Sequence, residues 1–420
     1  MGPDSGGPAT GPGPVRRRNR WLRRAALGVC VLVVGAMGAG WAVYAKLSAN
    51  IRSDDAAAAE LRRYEKERPS SLVKDAQNIL LIGSDTRSGD GNAEYGRDSG
   101  TERSDTVILL HLAADRHSAT AVSLPRDLMV NVPSCHRPDG SLTQPMFTMF
   151  NSAFAMGGSA CTIRTVEKLT DIRIDHHVVI DFSGFKEMVD AVDGVQVCLK
   201  EPVDDKDAKL RLPAGRITLN GEQALGYVRA RKSLGNGSDT ERMERQQRFL
   251  GALVNKVRGD DVLLNPVKLY PVLDAATSAL TTDPDLASLR GLYQLVRGLR
   301  GIPTERVQFL TVPRESYVYD VNRDQLVEPE AEKLFARLRA DQPVAVAGEV
   351  PQDSGANGGN SASWDSDTLP EVDSSAQSYG YVLYFSGGVY GAGRRGADSG
   401  RTPSPTPTFR GNTASEDFCG

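Results

Sequence analysis

The chain has 420 residues, and its 50 Lys and Arg residues are balanced by 53 Asp and Glu residues, for a net charge of −3. This balance argues against a nucleic-acid partner, which needs a basic binding surface, and the length alone permits two domains. The charge is distributed unevenly, because residues 15–24 (VRRRNRWLRR) are strongly basic.

An uncharged stretch of 21 residues, 25–45, follows this basic segment. A helix rises about 1.5 Å per residue, so the stretch is long enough to span a bilayer. The preceding arginines predict a cytoplasmic N-terminus and an exported remainder. A cleaved signal peptide is the alternative, but the stretch exceeds the usual apolar core and no A-x-A site follows it. We predict a single-pass signal anchor in the cell membrane, preceded by a disordered cytoplasmic tail over residues 1–24.

Composition divides the rest of the chain into three parts. Residues 46–76 predict a juxtamembrane stalk, with a polar helix over 54–68. Residues 77–342 predict one folded domain. Residues 343–420 are rich in Gly, Ser, Asp and Pro and predict a disordered extracytoplasmic tail. Within that tail, residues 379–385 (YGYVLYF) form an apolar island that fits either a docking strand or a chance cluster.

Strands and helices alternate within the folded region. Strands are predicted over residues 78–82, 106–112, 119–124, 177–181, 195–199 and 307–312. Helices are predicted over residues 162–169, 183–192, 222–229, 239–257, 266–279, 286–299 and 329–339. This alternation predicts an α/β fold, with a central mixed β-sheet flanked by helices on both faces.

Three separate pieces of sequence are predicted to meet at one edge of this sheet. If strands 78–82 and 106–112 are antiparallel neighbours, the end of the first lies about 4.8 Å from the start of the second. Asp85 and Asp105 would then face each other. A short link returns the third strand beside the second, which brings Arg126 to the same edge.

Two neighbouring carboxylates repel unless they share a proton, pair with arginine or bind a cation. Mg²⁺ is usually held by one or two carboxylates together with substrate phosphates. Asp85 and Asp105 are therefore candidate Mg²⁺ ligands, and with Arg126 they are the candidate catalytic residues. The alternative is that both aspartates only cap turns.

An arginine-rich segment, residues 226–246, is divided by a glycine-rich turn. Its arginines are Arg229, Arg231, Arg242 and Arg245. Residues 238–241 (SDTE) have the pattern of a capping box and predict the start of a helix. Arg242, Arg245 and Gln246 then share one face near the helix N-terminus, where cations are unfavourable unless an anion binds. Arginine suits phosphate because its planar fork donates two hydrogen bonds; the alternative is a solvated, charged helix face.

Four cysteines would lie outside the membrane, where disulfides persist. They are Cys135, Cys161, Cys198 and Cys419. Four cysteines allow three pairings, and sequence does not choose among them. Cys135 and Cys161 bracket one loop and helix region and are the preferred pair.

Several motifs in order resemble the LytR–CpsA–Psr family, the ligases that attach glycopolymers to bacterial cell walls. They are LLIGSDTR (80–87), RSDTVILLHL (103–112), SLPRDLMV (123–130), FNSAFAMGG (150–158), IDFSGFKEMVDAVDGV (180–195), LNGEQALGYVRAR (219–231) and RMERQQRFL (242–250). The resemblance covers residues 77–342 and is specific, because independent motifs agree in order.

The resemblance implies an extracytoplasmic phosphotransferase. Such an enzyme moves a glycopolymer from a polyprenyl-pyrophosphate carrier to a hydroxyl of peptidoglycan, as a phosphodiester. It implies that Asp85 and Asp105 hold Mg²⁺. Around the pyrophosphate it places Arg103, Arg126, Arg229, Arg231 and Arg242, with Arg245 and Gln246 completing the helix motif.

One position departs from the family pattern. Many members carry Lys just before the Asn-containing helix motif, where this chain has Met149. One phosphate contact is then absent or supplied by another residue. The resemblance leaves two alternatives open, a module that binds polyprenyl pyrophosphate without reacting it and a pyrophosphatase.

Overall fold

The structure is a computed structural model. It describes residues 15–85, 104–137, 139–206, 208–230, 239–259, 266–347 and 408–416. Its helices are α1 (Val15–Asn50), α2 (Asp55–Arg63), α3 (Ser152–Thr170), α4 (Phe182–Ala191), α5 (Gly221–Arg229), α6 (Asp239–Gly259), α7 (Pro266–Ala279), α8 (Leu289–Arg300) and α9 (Glu330–Arg339).

The strands are short. They are β1 (Arg52–Ser53), β2 (Gln77–Ser84), β3 (Ser104–Leu112), β4 (Ala119–Leu124), β5 (Met129–Val132), β6 (Met146–Met149), β7 (His176–Ile180), β8 (Val195–Leu199), β9 (Val203–Asp205), β10 (Leu210–Leu212), β11 (Gly215–Leu219), β12 (Leu280–Thr282), β13 (Val307–Thr311), β14 (Arg314–Tyr317), β15 (Asp320–Leu326), β16 (Ala345–Ala347) and β17 (Thr408–Thr413).

Among the described residues, nine strands form a central mixed sheet in the order β1-β12-β7-β2-β3-β4-β13-β17-β16. Strands β2, β3 and β4 pair antiparallel at its centre. Strand β7 is parallel to β2, and β13 is parallel to β4. The predicted antiparallel neighbours are therefore confirmed, and their ends meet at one edge.

Helices cover both faces of the sheet. Neighbouring residues of a strand point to opposite sides, so each face has its own buried cluster. Leu80 and Ile82 of β2 pack in one buried cluster with side chains of α3 and α9. Ile79 and Ile108 pack in another cluster with side chains of α6 and α8. The predicted α/β fold with helices on both faces is confirmed.

The N-terminal helix α1 extends beyond the predicted span of residues 25–45. Its segment Arg23–Asn50 is long and apolar enough to cross a membrane. Residues 15–24, which we predicted to be disordered, continue the same helix. A helix once nucleated propagates at little cost, which explains the extension. The orientation of the anchor stays a prediction.

Residues 46–76 do not project as a stalk, because their central part packs on the domain. Strand β1 pairs with β12, and Ala57 and Leu61 of α2 are buried in the core. Asp54 caps α2 by accepting a hydrogen bond from the Ala57 amide at 3.0 Å. The predicted polar helix exists, but its apolar face is part of the domain.

Asp54 also joins this segment to the core. Its carboxylate accepts a hydrogen bond from the Ser159 hydroxyl and lies 3.2 Å from Nε2 of His177. Burial alone would raise the pKa of Asp54, but the hydrogen bonds from His177, Ser159 and the Ala57 amide lower it to about 2. The ionised carboxylate is therefore the stable form in the folded chain.

The C-terminal boundary of the folded domain also differs from the prediction. Strands Ala345–Ala347 and Thr408–Thr413 belong to the central sheet, although residues 343–420 were predicted to be disordered. Strand β17 pairs with β13 and covers an edge that would otherwise be exposed, and Phe409 is buried in the core. The apolar island 379–385 lies outside the described residues.

Cys135 and Cys161 form the predicted disulfide, which closes a loop of 26 residues. Helix α3 is interrupted at Gly157 and Gly158, which have non-helical backbone angles. A Cβ at Gly157 would lie 3.0 Å from the Cβ atoms of both cysteines, so glycine permits this close approach. Cys198 is also disulfide-bonded, and its partner lies outside the described residues.

Replacement of Asp54 tests the junction between anchor and domain. Asp54→Ala should lower the free energy of unfolding by about 2–3 kcal/mol, because a helix cap and two further hydrogen bonds to a charged group are lost. Asp55→Ala, in the exposed first turn of α2, should change it by less than about 0.5 kcal/mol. Denaturation of the full chain in detergent, followed by far-ultraviolet circular dichroism, measures both.

The effect of Asp54→Ala on stability should also depend on pH. The folded pKa of about 2 lies below the ordinary value of 3.8, so Asp54 contributes fully above that ordinary value. The difference between wild type and Asp54→Ala should shrink as the pH falls from 3.8 towards 2. A difference that stays constant over this range would contradict the proposed ionised junction.

Removal of the disulfide tests the loop that it closes. Cys161→Ala should lower the free energy of unfolding by about 3 kcal/mol, because the open loop gains entropy in the unfolded chain. Cys30→Ala, at a free cysteine in the anchor, is the matched control and should leave domain stability unchanged. A reductant is a poorer test, since it also reduces the bond at Cys198.

Candidate active site

Asp105 lies at a β-bulge where β2 and β3 end their pairing. Gly83 is opposite Thr106 and Ser84 is opposite Ser104, so Asp105 is an extra residue on β3. A bulge leaves the extra residue outside the ladder and re-aims its side chain. Asp85 follows β2 directly. The two predicted carboxylates therefore sit at the paired ends of neighbouring strands.

Arg126 reaches the same edge from β4. Its Nη1 donates to Oδ1 of Asp105 at 3.1 Å, and its Nε donates to Oδ2 of Asp127 at 3.2 Å. The predicted meeting of Asp105 and Arg126 is confirmed, and their chemical roles stay predictions. Asp127 was not among the predicted site residues, although the sequence places it directly after Arg126.

The first turn of α6 adds charge to this edge. Burial alone would lower the pKa of Arg126, but the carboxylates of Asp127, Asp105 and Asp239 raise it above its ordinary value. Asp239 pairs with Arg242 at 2.6 Å. Arg242, which is buried, therefore belongs to the same charged cluster as Arg126 and Asp105.

Arg245 and Gln246 contact the C-terminal end of α5. Arg245 is 6% exposed, and its guanidinium donates to the carbonyl oxygens of Tyr227, at 3.2 Å, and of Ala230. Gln246 donates to the carbonyl oxygen of Val228 at 3.2 Å. Burial lowers the pKa of Arg245. These contacts fix the end of α5, which carries Arg229.

Arg229 stacks on an aromatic ring at the start of α4. Its guanidinium carbon lies 4.5 Å from the centre of the Phe182 ring, within the range of a cation–π interaction. Phe182 itself is buried. Arg103 and Arg231, both predicted to contact pyrophosphate, and Ser238, the predicted helix cap, lie outside the described residues.

The hairpin β14–β15 forms a wall of the site that the sequence did not predict. Oδ1 of Asp127 accepts from Arg323 at 3.5 Å, and the amide of Asp324 donates to the carbonyl oxygen of Asp127 at 3.1 Å. Arg314 bridges Asp324 to Thr240 in the first turn of α6. No local sequence signal identifies these residues, because they act through contacts distant in the chain.

A buried glutamine holds α6 against the ends of two strands. Gln247 Nε2 donates to the hydroxyls of Ser123 and Thr311, at 3.0 Å each. These bonds anchor α6 to β4 and β13. They therefore fix the position of α6, and with it Arg242, relative to the ends of these strands.

The residues present suit a hard divalent cation. Asp85 and Asp105 offer carboxylate oxygens at adjacent strand ends, and Asp105 stays one-third exposed while it pairs with Arg126. Among the described residues no group of three metal-ligating side chains forms a complete cage. Mg²⁺ does not need one, since it retains water and takes further oxygens from substrate phosphates.

Comparisons with known proteins agree on one family. A family model described as the LytR_cpsA_psr family matches residues 47–340. The chain is 37% identical over 272 residues to the probable cell wall biosynthesis protein LcpB of Corynebacterium glutamicum, covering 62% of this chain and 61% of LcpB. It is 34% identical to the polyisoprenyl-teichoic acid–peptidoglycan teichoic acid transferase TagU of Enterococcus faecalis, covering 61% of this chain and 76% of TagU.

A solved structure has the same fold. The LytR-Csp2A-Psr enzyme from Actinomyces oris superposes with a TM-score of 0.51 at 22% identity, covering 64% of this chain and 93% of that one. At this identity the likeness shows the fold alone.

Replacement of Arg245 separates a positioning role from ligand binding. Arg245→Met should lower the free energy of unfolding by about 1–3 kcal/mol, because the carbonyl oxygens at the end of α5 lose a buried donor. Arg248→Met, one turn further along α6 with a side chain 40% exposed, is the control and should cost less than about 0.5 kcal/mol. If the wild type and Arg245→Met were equally stable in chemical denaturation, the positioning role would be contradicted.

Proposed function

Because this chain belongs to the LytR–CpsA–Psr family, we propose that it is a transferase that attaches a glycopolymer to peptidoglycan. The donor in this proposal is a polyprenyl-pyrophosphate-linked glycopolymer, and the product is a phosphodiester. The observation that supports it best is the charged cluster at the sheet edge, in which Arg126 pairs with Asp105 beside the Asp239–Arg242 pair.

The reaction would proceed by attack of an acceptor hydroxyl on the phosphorus that carries the polymer. The new phosphorus–oxygen bond forms as the bond to the bridging oxygen breaks, and polyprenyl monophosphate leaves. The hydroxyl proton passes to a carboxylate or to water. Such a transfer depends on positioning and on neutralising negative charge more than on covalent chemistry.

Arginines of the cluster would supply most of this neutralisation. Arg126 and Arg242 are held in place by their carboxylate partners, so their donors are oriented before a ligand binds. Arg229 adds a guanidinium on the neighbouring helix end, and Arg103 and Arg231 complete the proposed phosphate set. Arg245 and Gln246 act in this proposal by fixing the end of α5.

Asp85 and Asp105 would hold Mg²⁺. The ion would supply Lewis-acid stabilisation of charge on the pyrophosphate. Asp105 reaches this position because the bulge in β3 turns it out of the ladder. In the same proposal, α1 anchors the chain in the membrane and leaves the catalytic domain outside the cytoplasm, where both the lipid carrier and peptidoglycan are accessible.

Replacement of Asp85 tests the proposed activity. Asp85→Ala should abolish transfer of a polyprenyl-pyrophosphate-linked oligosaccharide to peptidoglycan fragments in the presence of Mg²⁺, yet still bind the carrier through the arginines. Asp115→Ala is the control, because Asp115 is exposed at the far end of β3 and β4. It should transfer as the wild type does.

The outcomes separate the three candidate activities. Full transfer by the Asp85→Ala protein would rule out the proposed metal site. Carrier binding without transfer by the wild type, with every metal and acceptor tried, would favour a binding module. Release of phosphate products without an acceptor requirement would favour a pyrophosphatase.

A further inference from the structure

A row of three aromatic rings, exposed at both ends, lies on and beside the hairpin β14–β15, which contacts the charged cluster. The rings of Phe147 and Tyr317 lie 6.0 Å apart between centres, and those of Tyr317 and Tyr319 lie 5.4 Å apart. Tyr319 is 84% exposed and Phe147 is 50% exposed, and the neighbouring Val318 is also exposed. We call these four residues the aromatic surface. Clustered exposed apolar and aromatic side chains on a folded domain are typical of interaction sites.

The aromatic surface is rigidly connected to the site. It lies mainly on the hairpin β14–β15, whose Arg323 binds the Asp127 carboxylate that also holds Arg126. Leu128 forms a β-bridge with Asp324 of the same hairpin. A ligand on the aromatic surface would therefore keep a defined distance from Arg126.

Polar side chains on the same hairpin suit a ligand rich in hydroxyl groups. Gln325 donates to Glu315 at 2.8 Å, and Asn322 donates to Asp320 at 3.1 Å. Ser316 is exposed between them. Sugar rings combine both needs, since their C–H faces pack on the electron-rich faces of aromatic rings while their hydroxyls bond to polar side chains.

A membrane surface fits the hairpin poorly. Residues 314–326 carry three carboxylates and two arginines, and both arginines pair with carboxylates. Anionic lipid surfaces attract basic segments and would not favour this charge. Strand β4, which leads into the site, lies five strand spacings from β1 at the anchored edge, about 24 Å.

We propose that the aromatic surface binds the glycan strand of the peptidoglycan acceptor and presents its hydroxyl to the charged cluster. The identity of this ligand rests on the proposed function. Its aromatic rings and polar side chains offer a carbohydrate chain, rather than a phosphate or a lipid, complementary chemistry beside the arginines.

The test uses the full chain in detergent micelles and two measurements. Co-sedimentation with purified peptidoglycan sacculi measures glycan binding without requiring transfer. Steady-state transfer measures the KM values of acceptor and carrier separately. Tyr319→Ala should weaken sacculus binding roughly tenfold and raise the acceptor KM by a similar factor, with kcat and the carrier KM unchanged. Tyr319→Phe keeps the ring and should retain most of the affinity.

Tyr293→Ala is the matched control, because Tyr293 is 64% exposed on α8, away from the hairpin. It should bind sacculi as the wild type does. Failure of the wild type to bind sacculi, or equal binding by wild type and Tyr319→Ala, would overturn the proposal. A raised carrier KM with unchanged sacculus binding would also overturn it, and would indicate a lipid-facing surface. Tyr319-dependent binding by a protein without transfer activity would support the surface and count only against the transferase.

Discussion

The guanidinium of Arg126, held between the carboxylates of Asp105 and Asp127, is the interaction on which the site depends. Each carboxylate brings a different part of the chain to it, since Asp105 lies at the bulge of β3 and Asp127 also binds the hairpin β14–β15. Half-buried ion pairs of this kind contribute little net stability, because desolvation offsets their attraction. Their effect is to hold charged groups at defined positions, which is what catalysis by preorganised charge requires.

The sequence predicts the part of this arrangement that follows from local periodicity. Short apolar runs predicted the strands β2, β3 and β4, and antiparallel pairing then brought Asp105 to Arg126. The bulge was not predictable, because it depends on how Ser84 and Ser104 meet across two strands. Asp239 looked like part of a helix cap, and only tertiary packing shows that its charge acts on Arg126. The hairpin residues Arg314 and Arg323 carry no local signal at all.

Both outer strands of the central sheet come from segments that composition placed outside the domain. Strand β1 lies at one edge and β16 at the other, with β17 between β16 and β13. Short strands suit these positions, since long apolar edge strands invite pairing with other chains. These strands are also too short to be recognised from sequence periodicity, which needs several alternating residues. The anchor therefore leads into the sheet itself, through β1 and the partly buried carboxylate of Asp54.

Charge balance explains why a pyrophosphate and a divalent cation would bind this site together. In the structure Arg126 and Arg242 already have carboxylate partners, so a phosphate must compete with Asp105 and Asp239 for them. Phosphate oxygens are strong acceptors for the arginine fork, which favours the exchange. The carboxylates released in this way would repel each other and the phosphates unless a cation joined them. Because Arg126 and Arg242 each pair with an aspartate, the proposed entry of a phosphate would leave two carboxylates that a cation would then neutralise.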